Sequence, residues 1–132
     1  AKRRIILGTF ARMSGYRDQF YVKAQQARTL VINDFKRLFS KFDVIAAPTM
    51  PILPPKFTEI KKLTPAQIYQ MDILTVGPNL AGMPMISLPC GFAKKLPVGL
   101  HLIADHLQEH KLIEVAGLME KEFQEKDLEE EK

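Results

Sequence analysis

The first third of the chain carries apolar residues at helical spacing. From Ser14 onward they recur every three or four positions, with charged residues between them: Phe20, Ala24, Ala27, Leu30, Val31, Phe35, Leu38, Phe39 and Phe42. Because this spacing follows the 3.6-residue turn of an α-helix, it predicts one long amphipathic helix. Ser14 is expected to cap its N-terminus, since a serine side chain can accept a hydrogen bond from a free amide of the first turn.

The pattern changes after Asp43. Residues 44–47 are apolar, few in number and followed by proline, which predicts a short strand covered on both faces. An extended loop is expected as far as Leu63, because prolines dominate the next stretch: Pro48, Pro51, Pro54 and Pro55. Residues 64–67, Thr-Pro-Ala-Gln, then predict a helix start, since each of their Thr, Pro and Gln residues satisfies or removes a free donor. This helix is expected to reach about Leu74.

Glycine and proline are dense between Thr75 and Leu100. Glycine permits left-handed backbone, and proline fixes φ and removes a hydrogen-bond donor. The stretch therefore predicts a loop, a strand over 85–88, a turn over 91–97 and a second strand over 98–104. The two strands are expected to pair across the turn.

A last helix is predicted to begin near Gln108. Its buried face would carry five apolar side chains: Leu112, Val115, Ala116, Met119 and Phe123. Residues 125–132 have almost no apolar content, which indicates a charged tail or a frayed helical extension. Helices alternate with buried strands, so the predicted class is α/β, with one domain over 1–124.

Composition and charge narrow the class only slightly. The chain has 132 residues, 46% hydrophobic and 26% charged, which is typical of one globular domain. The net charge is +4, but basic residues are scattered apart from three short clusters, at residues 2–4, 61–62 and 94–95. Such scatter favours a solvated surface over a nucleic-acid interface.

The cellular setting is predicted from two observations. A single cysteine allows no disulfide within the chain, which indicates a reducing compartment. No apolar run approaches the ~18 residues that a membrane span requires. We therefore expect a cytoplasmic protein without membrane contact, although an organelle address that had been removed would leave no trace.

Two stretches resemble the C-terminal part of the amidase signature family. They are Asp-Val-Ile-Ala-Ala-Pro-Thr at 43–49, and the Gly/Pro-rich run at 75–92 with Leu-Pro-Val-Gly-Leu at 96–100. The resemblance extends from about Lys2 to about Phe123. Within the family, the chain is similar to the glutamine-hydrolysing A subunits of tRNA-dependent amidotransferases. The implied fold is the C-terminal portion of the amidase signature fold, with mixed-sheet strands covered by helices.

The resemblance implies amide hydrolysis by a serine nucleophile, a second serine in a cis peptide and a lysine, a catalytic set that is absent here. The serines present, at 14, 40 and 87, lie in no glycine-rich turn and beside no activating lysine. Ser87 is expected to be a hydrogen-bonded core hydroxyl. The chain alone is therefore expected to be inactive.

The complete protein, by the same resemblance, would release ammonia from glutamine. Its partner, the B subunit of the amidotransferase, would use ATP, Mg²⁺ and that ammonia to convert Glu-tRNA(Gln) to Gln-tRNA(Gln), and some complexes would include a C subunit. This chain would hold no cofactor itself and would meet tRNA only through the complex.

Two residues match the positions that hold the charged ends of glutamine in these subunits. Arg4 precedes the Ile-x-Leu-Gly-Thr run, and Asp72 precedes the x-Leu-Thr-x-x-x-Asn-Leu-Ala-Gly run. A guanidinium can donate two parallel bonds to an α-carboxylate, and a carboxylate can accept from an α-ammonium. The helical pattern also places Asp72 on an inward side, where a carboxylate needs a partner or a ligand.

The backbone around four further residues is expected to wall the pocket: Asn79, Gly82, Cys90 and Gly91. Three histidines follow Cys90, which raises the possibility of a thiol nucleophile. However, the sequence offers Cys90 no helix N-terminus or adjacent cation that would lower its pKa, so a packed structural thiol is favoured.

His106 and His110 fit the zinc-binding string H-x-x-E-H. The context is poor, because a helix beginning near Gln108 leaves His106 in a loop, with only Glu114 nearby as a third ligand. We interpret them as two solvated histidines at a helix start and expect no bound metal.

Two other functions stay open on the sequence. The first is an amidase signature hydrolase for an amide that is not an amino acid; Arg4 and Asp72 argue against it, because a neutral substrate gains nothing from two desolvated charges. The second is a non-catalytic interaction module. A Gly/Ser-rich signature upstream of this sequence would support the enzyme over the module.

Overall fold

Helices and strands alternate along the chain, so the predicted α/β class is confirmed. The computed structural model describes the backbone of residues 2–130 and the side chains of residues 2–123. Its elements are, in chain order, α1 (Lys2–Arg12), a π-helical segment (Arg17–Val22), α2 (Lys23–Phe39), β1 (Val44–Pro48), α3 (Phe57–Ile60), α4 (Pro65–Gln70), α5 (Ile73–Ala81), β2 (Met85–Ala93), β3 (Leu96–Ala104) and α6 (Glu109–Glu130).

Strand β3 is the centre of a three-stranded sheet, with β1 on one side and β2 on the other. Both pairings are antiparallel, with Val44 opposite Ala104 and Met85 opposite Ile103. The predicted β2–β3 hairpin is therefore confirmed, although its turn is shorter than expected because pairing continues to Ala93. Parallel pairing, which a mixed sheet needs, does not occur among residues 2–130.

Both faces of β3 are covered by helices. Leu102 and Ala104, at 1% and 0% exposure, pack with Leu112 and Ala116 of α6. Because successive side chains of a strand point to opposite faces, Ile103 packs on the other side. There it joins a cluster with α2 and the end of α5: Val31, Ile32, Phe35, Phe39, Ala81 and Met83. The apolar face predicted for the last helix is also confirmed, since Val115, Met119 and Phe123 pack against the first cluster.

Strand β1 lies where the sequence predicts it, but it is less buried than expected. Val44 and Ile45 are half-buried, whereas Ala46 and Pro48 are exposed. The strand pairs on one side with β3, and its other edge has no strand partner within the described residues. The expectation that both of its faces are covered is therefore wrong.

The helix predicted from Ser14 is only partly right. Regular α-helix spans Lys23–Phe39, but the turns before it are π-helical, and Tyr16 rather than Ser14 occupies the N-cap position. Gly15 turns the chain with φ of 87°. The ring of Tyr16 then packs 4.5 Å from that of Phe10 and 6.2 Å from that of Phe20. We attribute the wider π turns to this packing, which positions the rings at the expense of regular helical spacing.

The helix start predicted at Thr64 is confirmed. The Gln67 amide donates to Thr64 Oγ1 at 3.3 Å, and the Thr64 amide donates to Gln67 Oε1 at 2.9 Å. This helix, α4, ends at Gln70, earlier than predicted. The extended loop expected before it contains one short helix, α3, where the Lys56 amide donates to Glu59 Oε2 at 2.9 Å.

The start of the Gly/Pro stretch, from Thr75 to Ala81, is helical rather than the predicted loop. Helix α5 includes Pro78, which is buried together with Ala81. A proline inside a helix removes one backbone hydrogen bond, and here the burial of its ring offsets that loss. The helix ends at Gly82, whose φ of 75° is the left-handed conformation that glycine adopts without strain.

Two side chains hold the C-terminal end of α5. Arg28 Nε on α2 donates to the Leu80 carbonyl at 2.6 Å. His106 Nε2, in the loop after β3, lies 2.9 Å from the Ala81 carbonyl oxygen. The last carbonyls of a helix lack partners within it, so these contacts both satisfy α5 and fix it against two other elements.

The tight turn of the β2–β3 hairpin carries two strained residues. Lys94 and Lys95 have φ of 53° and 63°. Asn-Gly tolerates this geometry, whereas a lysine pays a steric cost of roughly 1 kcal/mol per residue for it. We therefore expect Lys94→Asn with Lys95→Gly to raise the free energy of unfolding of the chain by about 1 kcal/mol in urea titrations.

Lys61→Asn with Lys62→Gly is the matched control. It removes the same charges at a turn, yet positive φ occurs among described non-glycine residues only at Lys94, Lys95 and Leu107. No gain is expected there. Equal stabilisation by both double variants would assign the effect to charge rather than to backbone strain.

His101 adds a pH-dependent contribution to stability. It lies in β3 with 3% exposure, and its Nδ1 lacks a hydrogen-bond partner among residues 2–123. Burial lowers the pKa of His101 below 6.5. The unfolded chain therefore binds more protons on acidification, and stability falls as the pH drops below about 6.5.

His101→Gln should reduce this loss, measured as the difference in unfolding free energy between about pH 7.5 and pH 5.5. His110→Gln changes an exposed histidine and should leave the difference unchanged. If His101→Gln kept the full pH dependence, other groups would be responsible for it.

Candidate functional site

The structure brings Arg4 and Asp72 together. Arg4 lies on α1, and Asp72 occupies the junction between α4 and α5. Arg4 Nη2 is 3.7 Å from Asp72 Oδ2. Both side chains line a cavity of about 440 Å³, with neighbours from α1 and from the α4 region: Arg3, Leu63, Pro65, Ile68 and Tyr69.

Asp72 holds its position through its backbone. It is the N-cap residue of α5, and its carbonyl oxygen accepts from the Thr75 amide and the Thr75 hydroxyl, each at 3.0 Å. The carboxylate extends from a helix N-terminus, where the helix dipole favours negative charge. Asp72 is half-buried, with 47% of its side chain exposed, so it faces the cavity from the junction of two helices rather than from the interior of one.

The Arg4–Asp72 contact is an open ion pair. Its 3.7 Å separation exceeds the ~3.2 Å limit of an N–H···O hydrogen bond. An exposed pair of this kind contributes little to stability. Both groups therefore retain hydrogen-bonding capacity toward the cavity, the guanidinium for an anionic group and the carboxylate for a cationic one.

Tyr69 completes the arrangement, and the sequence reasoning did not identify it. The Arg4 Cζ atom lies 4.5 Å from the centroid of the Tyr69 ring, within the range of a cation–π interaction. Tyr69 lies one turn before Asp72, whose amide donates to the Tyr69 carbonyl at 3.2 Å. The spacing of three residues places Tyr69 near Asp72, but its contact with Arg4 depends on where α1 lies, which the sequence pattern does not show.

Two of the predicted wall residues lie at the other end of α5. Asn79 is exposed on its last turn, and Gly82 follows the helix. A Cβ atom added at Gly82 would lie 3.7 Å from His106 Nε2. Among the described residues, the cavity beside Arg4 is lined by neither of them.

The other two predicted wall residues lie in β2. Cys90 and Gly91 fall in an irregularity of the β2–β3 pairing, and Gly91 has φ of 129°. The Cys90 thiol lies 3.5 Å from the Val98 carbonyl oxygen, as a weak hydrogen bond within the sheet. The cavity beside Asp72 is lined by other parts of the described chain.

A second cavity, of about 630 Å³, lies between the proline-rich loop and the β2–β3 hairpin. Thr49 Oγ1 and Ser87 Oγ lie 2.6 Å apart on its lining. Ser87 is thus hydrogen-bonded as predicted, but it is exposed rather than in the core. Gly99 is required beside them, because an added Cβ would lie 2.7 Å and 2.8 Å from the two hydroxyl oxygens.

The histidines of the zinc-like string have separate surroundings. His106 is bonded to the Ala81 carbonyl rather than solvated on all sides, whereas His110 is exposed on α6. Among residues 2–123, no three His, Cys, Asp or Glu side chains are grouped to hold a metal ion. None of the described helices has both the length and the apolar content of a membrane span.

Comparison with known proteins supports the resemblance seen in the motifs. A family model described as amidase matches residues 1–113. The A subunit of glutamyl-tRNA(Gln) amidotransferase from Geobacillus sp. (strain WCH70) is 51% identical over 119 residues, covering 90% of this chain and 24% of that protein. The A subunit from Synechococcus sp. (strain JA-3-3Ab) is 49% identical over 87% of this chain and 22% of its own length. The chain thus spans about a quarter of these relatives.

Solved structures agree with that assignment. The A subunit of glutamyl-tRNA(Gln) amidotransferase from Thermotoga maritima is 39% identical with a TM-score of 0.64, covering 79% of this chain and 23% of that one. Allophanate hydrolase of Kluyveromyces lactis, at 24% identity and a TM-score of 0.67, shares the fold over 80% of this chain and 17% of its own. Since the family model matches residues 1–113, the chain belongs to the amidase signature family.

Proposed function

We propose that this chain is the C-terminal segment of the glutamine-hydrolysing A subunit of a tRNA-dependent amidotransferase. Its similarity to proteins named as the A subunit of glutamyl-tRNA(Gln) amidotransferase supports this proposal. The complete protein would release ammonia from glutamine in the cytoplasm. A partner B subunit, with ATP and Mg²⁺, would use the ammonia to convert Glu-tRNA(Gln) to Gln-tRNA(Gln), and some complexes would also hold a C subunit.

The open Arg4–Asp72 pair beside a cavity is the observation that carries the proposal. A free amino acid bears a carboxylate and an ammonium on one carbon atom. Opposite charges 3.7 Å apart on the protein match that zwitterion. Arg4 would donate to the α-carboxylate and Asp72 would accept from the α-ammonium, so two charge-assisted bonds would replace one long contact.

The segment would contribute recognition, and bond cleavage would come from the catalytic serines and lysine of the complete protein. Two of its serine hydroxyls have other partners, since Ser87 contacts Thr49 and Ser40 donates to the Arg37 carbonyl at 2.8 Å. Holding both charged ends of glutamine leaves the side-chain amide as the free end of the substrate. Binding the two charged ends would orient this amide toward the catalytic groups, and such orientation lowers a reaction barrier.

Replacing Arg4 or Asp72 with Ala in the full-length enzyme should reduce glutamine kcat/KM by roughly thirty- to a thousandfold. The change removes one charge-assisted contact and leaves the opposite charge of the substrate unpaired, at a cost of about 2 to 4 kcal/mol. Ammonia-dependent amidation should survive, because free ammonia bypasses the glutamine site. Steady-state assays with each nitrogen donor test this split.

Arg12→Ala and Asp34→Ala are the matched controls, since they remove the same charges from exposed helical positions away from this cavity. They should leave both activities unchanged. If Arg4→Ala or Asp72→Ala lowered both activities together, the residues would be holding the fold or a subunit interface. If neither activity changed, the glutamine assignment would be wrong.

The 132-residue chain alone should release no ammonia from glutamine or asparagine above a buffer blank. It lacks the serine and lysine set that nucleophilic amide hydrolysis needs. Ammonia release that a point mutation in this chain abolishes would contradict the proposal. Cys90→Ala would then decide whether a thiol is the nucleophile.

A further inference from the structure

We infer that Tyr69 is a positioning residue for Arg4, and that its ring sets the orientation in which the guanidinium meets an α-carboxylate. This inference rests on the proposed function, because it concerns the same cavity. Tyr69 is not assigned to catalysis: in this role it acts on the substrate only through Arg4.

The first support is the place of the ring. The Arg4 guanidinium carbon lies 4.5 Å from the ring centroid of Tyr69, and both residues line the cavity of about 440 Å³. Tyr69 is 42% exposed, so its ring is not part of the packed core. The contact with the Arg4 guanidinium is therefore the main interaction of this ring that the structure describes.

The second support is that a ring contact leaves the N–H donors of the Arg4 guanidinium available. A cation–π contact with a ring does not use the N–H donors of a guanidinium as a hydrogen bond would, so they can still bind other groups. Arg4 remains 59% exposed in this arrangement. The contact with the ring therefore restricts the rotamers of a long side chain without consuming the donors that a carboxylate requires.

The third support is the rigidity of the residue that carries the ring. Tyr69 lies on α4, whose first turn is fixed by the reciprocal bonds between Thr64 and Gln67. The Asp72 amide donates to the Tyr69 carbonyl, so the ring and the carboxylate belong to one continuous backbone turn. Tyr69 and Asp72 thus both lie beside Arg4, and the ring contact helps to set the distance of Arg4 from the ammonium-binding carboxylate.

The contact is made by the ring rather than by the hydroxyl. Among the hydrogen bonds described for residues 2–123, the Tyr69 hydroxyl takes part in none. Phenylalanine should therefore replace tyrosine here, whereas an aliphatic or polar side chain should not.

The test is steady-state glutamine hydrolysis by the complete amidotransferase. Tyr69→Leu should raise KM for glutamine roughly five- to thirtyfold and leave kcat within about twofold, because it weakens uniform binding of the carboxylate. Tyr69→Phe should stay within about threefold of the wild type in KM. Tyr69→Gln provides a second variant without a ring and should behave like Tyr69→Leu. Ammonia-dependent amidation reports that each variant is folded.

A substrate analogue isolates the path through Arg4. L-Glutamine α-amide has no α-carboxylate charge, so the loss caused by Tyr69→Leu should nearly disappear with this probe. In an Arg4→Ala background, Tyr69→Leu should cause no further loss with glutamine. An equal loss with both substrates, or a full additional loss in that background, would overturn the inference.

Tyr21→Leu is the matched control. The ring of Tyr21 lies 5.9 Å from the Arg12 guanidinium carbon, in an arginine–tyrosine contact away from the Arg4 cavity. Tyr21→Leu should leave KM for glutamine unchanged.

If Arg4→Ala had no effect, the proposed function would fail. If Arg4→Ala raised KM for glutamine and Tyr69→Leu did not, only the role of Tyr69 would fail. A fall in kcat with KM unchanged for Tyr69→Leu would indicate a structural role instead.

Discussion

The burial of β3 on both faces is the constraint on which the other elements depend. Leu102 and Ala104 are held under α6, while Ile103 is held by α2 and the end of α5. A shift of one residue along this strand would exchange the two faces, so packing on each side enforces a single register. That register places β1 and β2 on either side and thereby places the loops that leave them. The two cavities lie outside this core, at ends of elements that the core has already positioned.

Helix α5 transmits that position to the charged site. Its C-terminal carbonyls are held by Arg28 from α2 and by His106 from the loop after β3, and Ala81 is buried against Ile103. Its N-terminal end carries Asp72. The two ends belong to one nine-residue helix that carries Pro78 in its interior, so fixing the C-terminal end restricts where the N-terminal end can lie. The Asp72 carboxylate is therefore supported by contacts made about 12 to 14 Å away along the helix axis.

Local chemistry in the sequence predicted the elements whose signals agree with their surroundings. The capping residues Thr64 and Gln67, the hairpin pairing and the buried face of α6 all follow from such signals. Helix α5 was missed because Gly77 and Pro78 oppose a helix locally, while burial of the proline ring, which only tertiary structure reveals, outweighs them. Family motifs nominated Arg4 and Asp72. Tyr69 escaped notice because its contact with Arg4 depends on where α1 lies, and periodicity carries no such information.

The placement of Arg4 on α1 has a consequence for motion. Within this segment, which spans about a quarter of its relatives, residues 2–10 are all exposed, so little of the segment's buried surface holds this helix, and such regions open at low free-energy cost. Arg4 reaches from α1 to two groups on the α4–α5 junction. An amino acid bound by Arg4 and Asp72 would therefore act as a non-covalent crosslink between two otherwise weakly joined parts of the chain. Occupancy and closure of α1 would then be thermodynamically linked, so that amide exchange in this helix would slow when the ligand binds.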